Sequence, residues 1–293
     1  MRNINPLNLH ALEMFRHVAI EGSVLGAAAK MNRVQSNVST RIRQLEEQVG
    51  ATLFVRKPRG LSLTEEGEVL LRYAEQMLSL SDEALDALHS SHPAGDFRIG
   101  TMESTAAARL PSVLSAYHQN FVDVQIHVET DTAGGLTNRL LSGEIDAAFI
   151  AEPLSHDVLK SQPVFVEQLI LVSPPSFASL RNRQEINGAT IIAFEEGCAY
   201  RRYLQEWLSE EKIQPGQILS VGSYLAILAC VSAGMGYAVV PRSVLDAIAS
   251  EGDFKCHPLP KRYARIVTLL AWRSDYRSRK LEALRSLLPS VRR

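Results

Sequence analysis

Leu9, Leu12, Phe15 and Ala19, with Val18 beside them, recur at helical spacing, and Gly22-Ser23 reads as a stop followed by a new N-cap. The next segment, Val24 to Met31, carries Ala27-Ala28-Ala29, small side chains that let one helix cross another closely. After an Asn32-Arg33 turn, Val38, Ile42, Leu45 and Val49 put one apolar stripe on a third helix starting at Gln35 and ended by Gly50. Two short apolar runs, Leu53-Phe54-Val55 and Leu61-Ser62-Leu63, then flank the basic turn Arg56-Lys57-Pro58-Arg59-Gly60, the pattern of a hairpin. From Thr64, an N-cap followed by Glu65 and Glu66, helical spacing continues to about Leu88. Leu70, Ala74, Met77, Ser81, Ala84 and Leu88 form one stripe there, and Leu71, Leu78 and Leu85 a second.

Ser90-Ser91-His92-Pro93-Ala94-Gly95 reads as a hinge. Strands and helices alternate beyond it: Phe97 to Thr101, a helix from Ser104 to His118, Val124 to Thr130, a helix near Leu136 to Leu141, and Ala147 to Ile150. A second set comprises Leu169 to Val172, Thr190 to Phe194, a helix from about Arg201 to Glu211, and a helix from Ser223 leading to a strand at Tyr237 to Val240. Ile266 to Trp272 and a helix near Lys280 to Leu288 close the chain. Such alternation predicts an α/β body with a mostly parallel sheet, behind an all-α-rich head. The charge-free stretch Gln217 to Pro241 is long enough to raise a membrane span, but its serines and glycines break it into a helix and a strand. No membrane partner is expected.

The formal net charge is -1 over 293 residues, which taken whole argues against nucleic acid. By segment the picture changes: residues 1–64 hold nine Lys/Arg against four Asp/Glu, and residues 65–91 hold one against seven. A basic head of this kind marks a nucleic-acid-binding end. Cys198, Cys230 and Cys256 have no metal or disulfide spacing, which fits a reducing cytoplasm, and the first twelve residues lack an export pattern. No G-x-S-x-G, H-E-x-x-H, P-loop or G-x-G-x-x-G occurs, so neither an enzyme nor a cofactor or metal is expected.

On the third helix, Ser36, Asn37, Thr40, Arg41, Arg43 and Gln44 lie away from the apolar stripe. Those side chains carry the donors and acceptors that read base edges in a major groove, and the basic hairpin can lie against phosphates. The ordered run Ala27-Ala28, Val34-Gln35-Ser36-Asn37-Val38-Ser39, Ile42, Leu45-Glu46, Gly50, Leu53-Phe54, Arg56, Arg59, Leu63-Thr64 and Gly67 resembles the signature of LysR-type transcriptional regulators. It departs from that signature at Met31, where Leu is common, and at Arg41, where Gln is frequent.

The resemblance implies a winged helix-turn-helix at 1–64, a linker and dimerisation helix at 65–91, and an effector domain at 92–293. The last is expected to have the two-lobed periplasmic-binding-protein fold, with lobes at about 94–163 plus 268–293 and about 164–267. Gln35, Ser36, Asn37, Ser39, Thr40, Arg41 and Arg43 are then expected at the groove, and Arg56 and Arg59 on the backbone of double-stranded promoter DNA. The partners implied are a small-molecule effector and further copies of the chain, as a homodimer pairing into a homotetramer on an interrupted dyad.

In open α/β sheets ligands sit at strand carboxyl ends and helix N-termini. That rule selects Thr101, Glu103, Ser104, Thr105, Thr130 and Phe149 in one lobe, and Cys198, Tyr200, Arg201 and Ser223 in the other. Arg201 can pair with a carboxylate and Glu103 can accept an ammonium, so the effector expected is an amino acid, amine or organic acid. The segments Met102 to Ala107 and Gly197 to Arg202 also resemble regulators of amine and amino-acid catabolism. Two alternatives stay open at this point: a cytoplasmic solute-binding protein, which leaves the basic head unexplained, and a thiol redox regulator acting through Cys198.

Overall fold

Asn8 caps the first helix by accepting from the His10 and Ala11 amides, and Gly22 ends it at φ +58, a left-handed conformation that glycine adopts without penalty. In the computed structural model, which describes residues 7–58, 60–89, 92–177, 183–250, 252–289 and 291, this helix is α1, Leu9–Glu21. Then come α2 (Val24–Lys30), α3 (Gln35–Val49), β1 (Phe54–Lys57), β2 (Gly60–Leu63) and α4 (Glu65–His89). Leu12, Phe15, Val18, Ala27, Val38, Ile42, Leu45, Leu53 and Ala74 make one core, so the long helix packs on the three short ones as a single unit. Val49 departs from expectation: a stripe kept by Val38, Ile42 and Leu45 has turned toward solvent by the last residue of α3.

The hairpin is tied to the end of α1 and the start of α4 by backbone, and to α3 by the Glu46 side chain. Leu61 N donates to Gly22 O at 2.7 Å, Thr64 N donates to Leu53 O at 3.0 Å, and Glu46 Oε1 receives Leu53 N at 2.7 Å. Thr64 caps α4 as expected, its Oγ1 accepting from Gly67 N at 3.0 Å.

Ser91–Leu141 and Ile145–Arg293 form the second compact unit. The hinge serines, Ser90 and Ser91, lie outside the described residues. The elements after the hinge are β3 (Gly95–Thr101), α5 (Glu103–Ala108), α6 (Leu110–Asn120), β4 (Val124–Thr130), α7 (Ala133–Ser142), β5 (Ala147–Ala151) and β6 (Leu159–Ser173). They continue with β7 (Thr190–Phe194), α8 (Ala199–Glu210), β8 (Gln217–Val221), α9 (Tyr224–Ser232) and β9 (Tyr237–Pro241). The remainder is α10 (Arg242–Ile248), β10 (Lys255–Pro258), α11 (Lys261–Ala264), β11 (Arg265–Arg273) and α12 (Arg279–Leu287).

The strands run in the order β4-β3-β5-β11-β6-β9-β7-β8, with β10 paired to β6. Pairing of β3 with β4 and β5, and of β7 with β8 and β9, is parallel, whereas β6, β10 and β11 are antiparallel to their neighbours. Strand β6 is the join: residues 159–168 pair with β11, and residues 169–173 with β9 and β10. Two lobes result, sharing one continuous strand.

Three readings from sequence are corrected. The single helix expected at Ser104 to His118 is two, because Pro111 removes an amide and its ring opposes the Ala107 carbonyl, so the chain breaks at Arg109. The strand expected at Leu169 to Val172 begins ten residues earlier, at Leu159. The Gln217 stretch opens with β8, a strand missed altogether. No helix among the described residues is long and apolar enough to cross a membrane.

Candidate functional site

Helix α3 starts at Val34 without a side-chain cap, leaving its first turn open. Gln35, Ser36, Asn37, Thr40, Arg43 and Gln44 are exposed, and Ser39 and Arg41 half-buried. Ser36, Asn37, Thr40, Arg41 and Gln44 line one shallow hollow with Val34, and Arg41 Nη1 donates to Gln44 Oε1 at 3.3 Å. Four of the seven residues expected at the groove, Ser36, Asn37, Thr40 and Arg41, therefore share one surface, and Gln35, Ser39 and Arg43 are not in its lining. On the hairpin Arg56 and Lys57 are exposed; Arg59 lies outside the described residues. Lys57, in the same basic turn, joins the candidate phosphate contacts.

In the second unit a cleft of about 490 Å³ lies between α7, the end of β5 and the start of α8, lined in part by Thr137, Ile150, Cys198, Arg201 and Gln205. It shares Ala133, Cys198 and Ala199 with a smaller inner cavity. Glu103, Ser104, Cys198 and Tyr200, all expected from sequence, line the inner cavity. Asp131, Thr132, Phe194 and Tyr224 line it as well. Phe194 ends a strand and Tyr224 follows an N-cap serine, so the strand-end rule that found the others could have found these two.

Glu103 spans the lobes. Its Oε1 accepts from Tyr224 N at 3.2 Å and from Ser223 Oγ at 3.4 Å, filling the N-terminus of α9, while Oε2 is buried with no hydrogen-bond partner. Burial pushes its carboxyl above the usual range, and those two hydrogen bonds pull it partly back. Burial likewise pushes the Cys198 thiol up; its Sγ lies 4.0 Å from Tyr224 Oη. Burial, then the Glu167 charge, push the Tyr200 phenol up.

Other expected residues sit differently. Phe149 is fully buried and stacks on Phe165, whereas Ile150, which strand alternation turns to the other face, lines the cleft together with Ala151 at the strand's end. Thr101 is buried with its hydroxyl on Met102 O, Thr105 is buried outside the cavity lining, and Thr130 is exposed outside it. Arg201 is not a free clamp for a carboxylate: Nη1 donates to Phe194 O at 2.9 Å and Ser220 Oγ at 2.7 Å, tying α8 to the ends of β7 and β8.

The chain matches two family models: "Bacterial regulatory helix-turn-helix protein, lysR family" over residues 9–68, and "LysR substrate binding domain" over residues 90–292. It is 35% identical to the HTH-type transcriptional regulator GltR of Bacillus subtilis (strain 168) over 270 residues, 92% of this chain and 91% of that one. It is 34% identical to the HTH-type transcriptional regulator CzcR of Bacillus thuringiensis subsp. konkukian over 286 residues, 97% of each chain. Among solved structures, a full-length OxyR variant from Pseudomonas aeruginosa matches with a TM-score of 0.76 at 21% identity, covering 97% of this chain and 95% of that one. Full-length CbnR complexed with its target DNA matches at 0.70 and 19% identity, covering 96% and 99%.

Proposed function

Because the chain belongs to the LysR family of bacterial transcription regulators, we propose that the outer face of α3 reads promoter DNA and that the inter-lobe cleft holds the effector that controls it. The observation that carries the reading is the one surface shared by exposed Ser36, Asn37, Thr40 and Gln44 and half-buried Arg41, with Arg56 and Lys57 on the hairpin for phosphates. Gln35, Ser39 and Arg43, on the same helix, complete the set proposed to meet the DNA. The effector is an amino acid, amine or organic acid, with Glu103, Ser104, Asp131, Thr132, Cys198 and Tyr200 as the polar groups around it and Ser223 behind Glu103.

The chain works as a homodimer, pairing into a homotetramer, in the cytoplasm where its DNA is. Val69, Tyr73 and Leu80 form an exposed apolar row on α4, suited to a second copy. Two placements of the reading heads with different effector affinity are the required physics. A thiol switch at Cys198 is disfavoured by its burial, which keeps the thiol protonated.

Footprinting of the DNA upstream of its own gene tests this directly. A protected, interrupted dyad that changes with a candidate amino acid or amine is expected; equal affinity for that DNA and random DNA would overturn the reading.

A further inference from the structure

Resting on the reading of the cleft as the effector site, we infer that its inner cavity takes the positively charged nitrogen of a small organic ammonium ion and rejects carboxylates. Three observations carry this. Among the eleven residues lining the cavity none is Lys, Arg or His, while Glu103 and Asp131 bring two carboxylates. Of the helix starts that reach the cavity, that of α9 is already filled by an anion of the chain itself, since Glu103 Oε1 holds the Tyr224 amide, while those of α5 and α8 carry no side-chain cap. The other oxygen, Oε2, is buried and makes no hydrogen bond among the described residues.

A buried carboxylate oxygen left unpaired costs free energy that only a donor, best a cationic one, recovers. The walls suit a cation too: Phe194 and Tyr224 stack with centroids 5.1 Å apart, and Tyr200 lies 6.5 Å from Tyr224. The faces of aromatic rings attract cations. The cavity has about 20 Å³ of room, enough for one group the size of water or ammonium. The rest of the molecule extends into the adjoining cleft through Ala133, Cys198 and Ala199.

The full chain is titrated calorimetrically with n-butylammonium chloride and with sodium butyrate at equal ionic strength, as wild type and as Glu103→Gln and Asp131→Asn. Wild type is expected to bind butylammonium and not butyrate, Glu103→Gln to weaken butylammonium by tenfold or more, roughly the worth of one charge-assisted bond, and Asp131→Asn by less. A single thermal unfolding transition for Glu103→Gln shows that the variant is folded. Butyrate binding as tightly as butylammonium, no heat with butylammonium, or undiminished binding by Glu103→Gln would each overturn the inference. Footprints with each ion separate this from the wider reading. Glu103-dependent butylammonium binding that leaves the footprint unchanged upholds the charge preference and overturns control of DNA by the cleft. A footprint that answers to butyrate alone does the reverse.

Discussion

Arg109 delivers Nε to Glu167 Oε1 at 2.7 Å and Nη2 to Glu167 Oε2 at 3.3 Å, a two-pronged pair on a carboxylate that is 3% exposed. Arg109 sits at the break between α5 and α6, Glu167 on the shared strand β6, and Ser243 Oγ on α10 donates to the same carboxylate. The pair therefore ties both lobes to their common strand behind the cleft. Removing one partner strands a buried charge. Arg109→Ala is expected to lower the stability of the second unit by about 2 to 4 kcal/mol in urea unfolding, and Arg109→Ala with Glu167→Ala by less than the sum of the single losses. Additive losses would mean that the pair is not coupled.

On α3, Asn37→Ala and Arg41→Ala are each expected to cost about 1 to 3 kcal/mol on the cognate site and little on random DNA. Arg56→Ala should weaken all DNA alike and reduce the salt slope by about one. Fluorescence anisotropy with both DNAs at several salt concentrations checks this; equal losses on both for Asn37→Ala would remove α3 as the reader.

Gly60 has φ +136, and a Cβ there would stand 2.5 Å from Gly22 O, the atom that receives Leu61 N. Neither backbone atom can retreat cheaply, so Gly60→Ala must lift the hairpin off the end of α1. We expect a loss of about 1 to 3 kcal/mol in the first unit and weaker non-specific DNA binding, read by thermal unfolding and anisotropy.

Glu103, its carboxyl raised from 4.5 by burial, holds its proton in the folded chain at pH values where the unfolded chain has lost it. Its contribution to stability is full below 4.5 and is lost as pH rises through the raised folded value. The wild type should therefore lose ground to Glu103→Gln as pH climbs from about 4.5 to 7, seen as a widening difference in Tm. A constant difference across that range would show that Glu103 titrates normally.

The head was largely legible in the sequence because each of its signals is local: Gly22 and Gly50 at helix ends, Val38, Ile42 and Leu45 on one stripe, a basic turn between two apolar pairs. The body was legible only as alternating elements. Nothing local announces that Leu159 to Ser173 is one strand serving two sheets, since its partners lie about a hundred residues later in β11. Glu103 and Arg201 were singled out by strand-end position, but their hydrogen-bond partners come from Tyr224 and Phe194, joined to them only by the fold. Phe149 was misassigned because strand alternation fixes which residues share a face and not which face meets the ligand.

Strand β6 keeps a nine-residue ladder with β11, interrupted by one register shift between Thr268 and Leu269. A ladder of that length resists sliding, since slipping by one residue would turn every buried side chain outward. Bending at the irregularity sacrifices little, because the pairing is already broken there. The irregularity lies within the first lobe, where Val164 and Phe165 pack in its core, so the extra twist it brings belongs to that lobe and the pairs that follow it toward the second lobe, Thr268–Phe165 to Arg265–Gln168, stay in register.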